Sequence, residues 1–194
     1  MDKTINTQGN LFVISAPSGA GKSSLIKELI RLNQNLVLSV SFTSRKPRYS
    51  ESNGKEYFFV SVEDFLKKKE KGEFIESAFI HGNFYGTSFE HIKNKLNQGI
   101  DIILELDWQG KRKIKEIYEK AICIFILPPS LDELRKRLYK RDQNTEDEIN
   151  RRFEAALTEI SHASKYEYVI INGDFNEALN KLMSIILSIR CKFI

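Results

Sequence analysis

The feature that most constrains this chain is a glycine-containing turn between an apolar strand and an amphipathic helix. Residues 10–15 (NLFVIS) form a short apolar run typical of a buried strand, and residues 22–32 carry apolar side chains at helical spacing. Between them the chain reads APSGAGKS over residues 16–23. Glycines let the backbone N–H groups of such a turn face a phosphate, and the helix N-terminus adds partial positive charge. The sequence therefore predicts a phosphate-binding loop after the first strand.

The chemistry of this loop indicates a nucleoside triphosphate site. Lys22 is expected to reach the terminal phosphates, and the Ser23 hydroxyl is a type of oxygen that ligates Mg²⁺. The first position departs from the usual pattern, because Ala16 stands where glycine is general. The predicted phosphate-binding residues are consecutive: Ala16, Pro17, Ser18, Gly19, Ala20, Gly21, Lys22, Ser23 and Ser24.

A second apolar strand, over residues 100–107, ends in acidic residues. Asp107 stands where a carboxylate beside the phosphate-binding loop is expected, at the carboxyl end of a strand. Glu105 lies two residues earlier and therefore on the same strand face. Ordinary polarity at a strand end is the alternative interpretation of both residues.

Apolar strands alternate with helical segments along most of the chain, which predicts a parallel sheet covered by helices on both faces. Residues 36–88 differ, since they hold short strands, one of them over 36–43, and a single helix; they predict an inserted small β-rich lobe. Residues 135–152 are highly charged and predict a helical flap. Boxes of Ser or Thr followed three residues later by Asp or Glu predict helix starts at Ser61, Thr87, Ser130 and Thr145.

Two basic clusters predict further anion contacts. Arg45 and Arg48 flank Pro47, a pattern that suits a phosphate dianion, and the hydroxyls of Tyr57 and Tyr85 are candidate donors beside them. The second cluster lies in the flap, whose residues 135–152 include seven basic and four acidic side chains. Arginines on a flap beside a phosphate-binding loop suit triphosphate oxygens. The alternative for the first cluster is a basic surface loop that binds nothing. The alternative for the flap is a solvated helix pair with ion pairs between residues four apart.

The composition restricts the class of function. A chain of 194 residues predicts one domain, and a formal net charge of +4 is too small to indicate nucleic-acid binding by itself. Two distant cysteines exclude a disulfide framework, and the three histidines have no metal-ligand spacing. The polar start of the chain and the short apolar stretches predict a cytoplasmic protein with no membrane or nucleic-acid partner. The sequence leaves the oligomeric state, including a homo-oligomer, open.

Seven motifs in order resemble those of the guanylate kinase family. They extend over about residues 10–175, and several independent motifs are more specific than the phosphate-binding loop alone. The motifs are SAPSGAGKSS (15–24), SFTSRKPR (41–48), NGKEYFFV (53–60), GNFYGTS (82–88), ILELDWQG (103–110), FILPPS (125–130) and RRFEAA (151–156).

The resemblance implies a single α/β domain with a P-loop NTPase-type parallel sheet core flanked by helices, an inserted small β-rich GMP-binding lobe and a helical lid. The expected divisions are a core over about 10–35, 96–130 and 156–194, a lobe over about 36–95 and a lid over about 131–155. The resemblance also implies Mg²⁺-dependent transfer of the γ-phosphate of ATP to GMP, and to dGMP, by direct in-line transfer. That reaction serves purine nucleotide metabolism and GMP recycling.

The resemblance further implies roles for individual residues. The nine residues of the loop would bind ATP, with the Ser23 hydroxyl on Mg²⁺. Ser41 and Thr87 would donate to guanine O6, and Glu76 and Asp107 would accept from guanine N1–H and the 2-amino group. The residues expected to hold the GMP phosphate are Arg45, Arg48, Tyr57 and Tyr85, and Glu51 and Glu105 complete the expected GMP-binding set. The expected catalytic set is Lys22, Arg45 and the lid arginines Arg137, Arg141 and Arg152.

Three local sequences depart from the family pattern. Glu105-Leu106-Asp107 stands where many relatives carry Asp-Ile-Asp, Tyr49-Ser50-Glu51 lacks the usual glycine before the glutamate, and Arg141-Asp142 stands where Arg-Gly is usual.

Two other functions on the same scaffold remain as alternatives. One is a ribose 1,5-bisphosphate kinase, which would not need Ser41, Glu76 and Thr87. The other is a binding module for phosphorylated peptides, which commonly lacks an intact phosphate-binding loop.

Overall fold

A computed structural model describes residues 8–49, 51–80, 82–141 and 146–192, with Ile80 and Arg141 described by their backbone alone. The described strands are β1 (Leu11–Ser15), β2 (Leu36–Leu38), β3 (Ser41–Thr43), β4 (Tyr57–Phe59), β5 (Phe74–Ile80), β6 (Asn83–Ser88), β7 (Asp101–Glu105), β8 (Ile122–Leu127) and β9 (Tyr168–Ile171). The described helices are α1 (Lys22–Leu32), α2 (Val62–Glu70), α3 (Phe89–Asn97), α4 (Trp108–Ile117), α5 (Leu131–Arg141), α6 (Glu146–Ile160) and α7 (Phe175–Arg190).

The core is a five-stranded parallel sheet in the order β2-β7-β1-β8-β9. Its strands are apolar because both faces are covered. One face packs against α1 and α7 through residues such as Leu25 and Leu182, and the other packs against α3 and α4 through residues such as Ile92 and Ile114. The predicted fold class is therefore confirmed. Because the strands are parallel, their carboxyl ends lie at the same edge of the sheet. Ser15 and Glu105, the last residues of β1 and β7, are therefore at this edge.

A second sheet of four strands has the order β4-β3-β6-β5 and forms the lobe. The predicted single strand over 36–43 is wrong, because β2 pairs with β7 in the core sheet whereas β3 pairs with β4 and β6. The chain leaves the core sheet after Ser39, whose N–H donates to the Ile103 carbonyl at 2.8 Å. Alternating hydrophobicity continues through this change of sheet, so the pattern does not mark it. The sequence analysis predicted no strand over residues 83–88, where β6 lies.

Side-chain caps fix where several helices begin. Ser61 and Ser130 accept from the N–H groups of Asp64 and Glu133, as their boxes predict. The cap predicted at Thr87 is wrong, because Ser88 caps α3 and the Thr87 hydroxyl donates elsewhere. Thr145 lies outside the described residues.

Helices α5 and α6 form the charged flap, and they pack through a small apolar cluster of Leu134, Leu138, Ile149 and Ala156. Leu134 and Leu138 also approach the phosphate-binding loop, since a Cβ built at Gly19 would lie 3.1 Å from Leu134 Cδ1 and 3.4 Å from Leu138 Cδ2. In the described part of the chain, no helix is both long and apolar enough to cross a membrane.

Candidate active site

The phosphate-binding loop joins β1 to α1 and surrounds a cavity of about 460 Å³. Gly19 and Gly21 have φ values of 90° and 89°, a left-handed conformation that favours glycine. The lining residues are Ala16, Pro17, Ser18, Gly19, Gly21, Lys22, Ser23, Ser24 and Arg137. Of the nine predicted loop residues, Ala20 differs in that its side chain is fully buried in the core.

Helix α1 begins without the side-chain cap that several other helices have. Asp107 and Asp174, for example, cap α4 and α7 with a side-chain oxygen, whereas among the described residues no side chain caps α1 at Gly21. The first turn of α1 also contains no acidic residue. Its N–H groups and partial positive charge are thus directed at the cavity, which suits an anion.

Glu105 is the carboxylate that contacts the loop lysine. Its Oε2 atom lies 3.4 Å from Lys22 Nζ, and the pairing of Glu105 with Ile14 across β1 and β7 sets this position. Asp107 instead accepts from the Gly110 N–H at 2.8 Å and caps α4. The helix therefore begins at Trp108.

Three polar side chains predicted to recognise a base lie together in the lobe. Thr87 Oγ1 donates to Glu76 Oε1 at 2.8 Å, and Ser41 Oγ lies 3.4 Å from Thr87 Oγ1. Glu76 and Thr87 face each other because they are partners across β5 and β6. Beside them is a cavity of about 220 Å³ lined by Leu38, Ser39, Ser41, Glu56, Tyr57, Thr87, Leu104, Glu105 and Leu106.

Burial raises the pKa of Glu76 above its ordinary value of 4.5. The hydrogen bond from Thr87 and the charge of Lys113 oppose this shift of the pKa, whereas the charge of Asp107 adds to it. A partly buried carboxylate with a raised pKa is a candidate functional residue.

Arg45 and Glu51 form the other polar centre of the lobe. Arg45 Nη2 donates to both carboxylate oxygens of Glu51 at 2.8 Å, and the Arg48 N–H donates to Glu51 Oε2 at 2.7 Å. The Arg45 guanidinium also lies 5.6 Å from the centroid of the Tyr57 ring. Hydrogen bonds from Arg45 and Arg48 lower the pKa of Glu51, while those to Glu51 and Tyr85 raise the pKa of Arg45. Glu51 thus orients the guanidinium of Arg45 and holds the backbone at Arg48.

Two predicted lid arginines lie beside the phosphate-binding loop. Arg137 pairs with Glu133 at 3.0 Å and lines the cavity, and Arg152 Nη2 donates to Ser18 Oγ at 3.1 Å. The side chain of Arg141 lies outside the described residues, as do the departures at Ser50 and Asp142.

The sequence analysis missed two polar residues, Asn172 and Tyr166, whose side chains reach the phosphate-binding loop and the last residue of β1, respectively. Asn172 follows β9 directly, is 5% exposed, and donates from Nδ2 to the Ala20 carbonyl at 2.7 Å. Tyr166 donates to Ser15 Oγ at 2.8 Å, and burial raises its pKa to about 12. The rule that singled out Asp107, a polar residue directly after an apolar strand, also finds Asn172.

Comparison with known proteins assigns the chain to the family that its sequence motifs resemble. A family model described as guanylate kinase matches residues 8–189. The chain belongs to the guanylate kinase family. A guanylate kinase of Shewanella denitrificans is 50% identical over 187 residues, which are 96% of this chain and 90% of the relative. A guanylate kinase of Paraburkholderia xenovorans is 46% identical over 185 residues, which are 95% of this chain and 82% of the relative.

A solved structure agrees with the fold as well. The crystal structure of guanylate kinase from Anaplasma phagocytophilum matches with a TM-score of 0.73 at 35% identity, covering 97% of this chain and 89% of that one. The predicted family and the predicted activity of a nucleotide-binding kinase, an ATP:GMP phosphotransferase, are therefore confirmed. The two alternative functions are not favoured.

Proposed function

We propose that this chain phosphorylates GMP and dGMP by direct in-line transfer, with ATP on the phosphate-binding loop and the acceptor on the lobe. The observation that carries this proposal is the position of Glu105. It pairs with Lys22 of the loop and also lines the cavity beside Ser41 and Thr87, so the two sites adjoin. A donor and an acceptor bound in adjoining sites meet the positional requirement for transfer in one step.

In the proposed reaction an oxygen of the GMP phosphate attacks the γ-phosphorus of ATP. The new bond joins that oxygen to phosphorus, and the bond to the β-phosphate oxygen breaks and leaves ADP. The attacking oxygen is already anionic near pH 7, so no general base is needed. The work of the protein is positioning and charge neutralisation. We assign the neutralisation to Lys22, Arg45, Arg137, Arg141 and Arg152.

Mg²⁺ is the metal that fits this site. Among the described residues no group of three or more His, Cys, Asp or Glu side chains forms a metal cage. That suits an ion held mainly by substrate phosphates and water, as Mg²⁺ usually is, with the Ser23 hydroxyl as a protein ligand. When bound, Mg²⁺ neutralises charge on the triphosphate oxygens.

Guanine recognition is assigned to the polar side chains of the lobe. The Ser41 and Thr87 hydroxyls suit guanine O6, and the Glu76 carboxylate suits guanine N1–H. Asp107 is proposed to accept from the 2-amino group with the oxygen that does not cap α4. Adenine presents the opposite pattern at positions 1 and 6, so a carboxylate at Glu76 disfavours AMP.

The division of the chain and its location belong to the same proposal. We assign a core, a GMP-binding lobe that begins near β3, where the second sheet starts, and a lid formed by α5 and α6. Closure of the lid excludes water, which would otherwise hydrolyse ATP. We place the enzyme in the cytoplasm, where ATP and GMP are available.

The direct test is an ADP-release assay with Mg·ATP that compares GMP, dGMP, AMP, CMP, UMP and ribose 1,5-bisphosphate as acceptors. Turnover of GMP and dGMP above all others supports the proposal. Turnover of ribose 1,5-bisphosphate in place of GMP would retain the loop assignment and refute the base site. Binding of GMP by folded protein without turnover would indicate a binding module.

The Glu51→Gln variant tests how the phosphate ligands are oriented. We expect the KM for GMP to rise roughly tenfold, the effect of one weakened charge-assisted contact, because Arg45 loses its carboxylate partner. The KM for ATP should stay within about twofold, since Glu51 contacts Arg45 and Arg48 but not the loop. Steady-state kinetics with each substrate varied in turn provide the measurement.

The matched control is Glu73→Gln, which removes another carboxylate of the lobe that is paired at 2.7 Å, here with Lys68. Its KM for GMP should equal that of the wild type. An equal rise in both variants would show that the effect on Glu51→Gln comes from loosening of the lobe.

A further inference from the structure

Asn172 occupies a position from which it contacts both the phosphate-binding loop and the lid. It follows the last residue of β9, and its N–H donates to the Leu127 carbonyl at 2.8 Å, which continues the pairing with β8. Only 5% of the residue is exposed. Its backbone is therefore fixed by the sheet, and its side chain projects from a rigid element.

The carboxamide of Asn172 holds the backbone of the loop. Nδ2 donates to the Ala20 carbonyl at 2.7 Å. The assignment of nitrogen to this contact is chemically required, because a carbonyl only accepts. Gly21 leaves room for the amide, since a Cβ built there would lie 2.4 Å from Nδ2. A loop whose carbonyl at Ala20 is held outward keeps its neighbouring N–H groups available to the cavity.

The main chain of Asn172 contacts the lid. Its carbonyl oxygen lies 3.4 Å from both Nη1 and Nη2 of Arg137, whose side chain lines the loop cavity. Asn172 thus holds the loop with its side chain and a lid arginine with its backbone. These two contacts can be separated by mutation, because a side-chain substitution removes the first and leaves the second.

We propose that Asn172 is a positioning residue for phosphoryl transfer, whose carboxamide holds the phosphate-binding loop in the conformation that receives the triphosphate. The proposal rests on the proposed role of the loop in ATP binding. Aspartate is nearly isosteric but has no donor, and it places a carboxylate oxygen against the Ala20 carbonyl. An alanine leaves the carbonyl unpaired without this repulsion.

The test compares Asn172→Asp and Asn172→Ala with the wild-type enzyme. We expect Asn172→Asp to lower kcat/KM for ATP roughly tenfold, as one lost positioning hydrogen bond does, with a smaller decrease for Asn172→Ala. The KM for GMP should stay within about twofold in both. Competitive inhibition by inorganic tripolyphosphate, which reports on the loop without a base, should weaken by the same factor as kcat/KM.

The control is Asn33→Asp, because Asn33 Nδ2 also donates to a backbone carbonyl, that of Leu29 at 2.8 Å, at the opposite end of α1. This variant should change the melting temperature but not tripolyphosphate inhibition.

Two results would overturn the proposal. One is a lower melting temperature in the Asn172 variants with unchanged kinetics per folded molecule, which would make the contact merely structural. The other is a changed preference between ATP and ITP with unchanged tripolyphosphate inhibition, which would indicate that the side chain contacts the base. GMP phosphorylation by the wild-type enzyme tests the proposed function separately.

Discussion

The Lys22→Ala variant is expected to lower kcat for GMP phosphorylation by at least ~100-fold, as removal of one preorganised charge at a transition state commonly does. Lys22 stands at the first position of α1 and lines the loop cavity, where the γ-phosphate is proposed to lie. Charge shifts onto the phosphoryl oxygens as the bond to ADP breaks. The lysine therefore stabilises the transition state more strongly than it stabilises bound ATP. The KM for GMP should change far less than kcat.

The structure adds a second reason for this large effect. Glu105 lies 3.4 Å from Lys22, and without the lysine this contact no longer offsets the negative charge of Glu105 beside the proposed triphosphate site. Repulsion between this carboxylate and ATP then adds to the lost attraction. A double variant, Lys22→Ala with Glu105→Gln, should therefore recover part of the ATP affinity while kcat remains low.

The control for Lys22 is Lys27→Ala, which removes the same charge from an exposed position of the same helix. Its kcat and its melting temperature should match those of the wild type. Near-normal turnover in folded Lys22→Ala protein would refute the assignment of the phosphate-binding loop.

The core of the fold was predictable because its strands are locally distinct. β1, β7 and β8 are apolar along most of their buried length, with Ser15 and Asp101 as buried polar residues at strand ends, and each strand is followed by a segment with helical periodicity. The change of sheet between β2 and β3 was not predictable in this way. It depends on which partner strands are available, β7 for one and β6 for the other, and local hydrophobicity carries no information about them.

The cap of α3 shows the same limit at the level of single residues. Thr87 and Ser88 are both good capping residues, and the glutamate at position 90 favoured Thr87 in the sequence. The pairing of Thr87 with Glu76 across β5 and β6 decides the matter, because it leaves Ser88 at the helix start. A side chain that makes a contact across a sheet is unavailable as a cap.

The site was predictable where motif and local structure coincide and not where partners come from distant elements. The loop over residues 16–24 is defined by its own backbone, and its lining follows the prediction apart from Ala20. The pairing of Glu105 with Lys22 and of Asn172 with Ala20 each joins separate elements, whereas Arg45 and Glu51 pair within the single loop between β3 and β4. These contacts turn candidate ligands into oriented ones, and they follow only from the folded arrangement.

The Glu76→Gln variant is expected to reduce the preference for GMP over AMP, measured as the ratio of kcat/KM values, by about 100-fold. A site built on hydrogen bonds rejects a mismatched base by several orders of magnitude. Replacing one acceptor of such a site by a donor removes a large part of this selectivity. Thr87 donates to Glu76 Oε1. If it donates likewise to the glutamine oxygen, the amide nitrogen faces the base, which opposes guanine N1–H and suits adenine N1.

The pH dependence gives an independent check of this role. Burial raises the pKa of Glu76. As the pH falls, its carboxylate therefore takes up a proton at a higher pH than an ordinary glutamate does. Protonated Glu76 no longer offers two acceptors, so the selectivity of the wild type should fall toward that of the variant in weak acid. The variant should show no such change from this group.

Stability should not limit the measurement on Glu76. A carboxylate whose pKa is raised by folding stabilises the folded protein only in its protonated form, and this contribution is lost as the pH rises through the raised pKa. Near pH 7 the neutral glutamine avoids that desolvation, so the melting temperature of Glu76→Gln should be at least that of the wild type. Glu63→Gln, at an exposed position on α2 of the lobe, is the matched control and should leave selectivity unchanged. If Glu76→Gln folds and keeps the wild-type preference for GMP over AMP, Glu76 does not read the base, and the rejection of adenine must come from Ser41, Thr87 or Asp107.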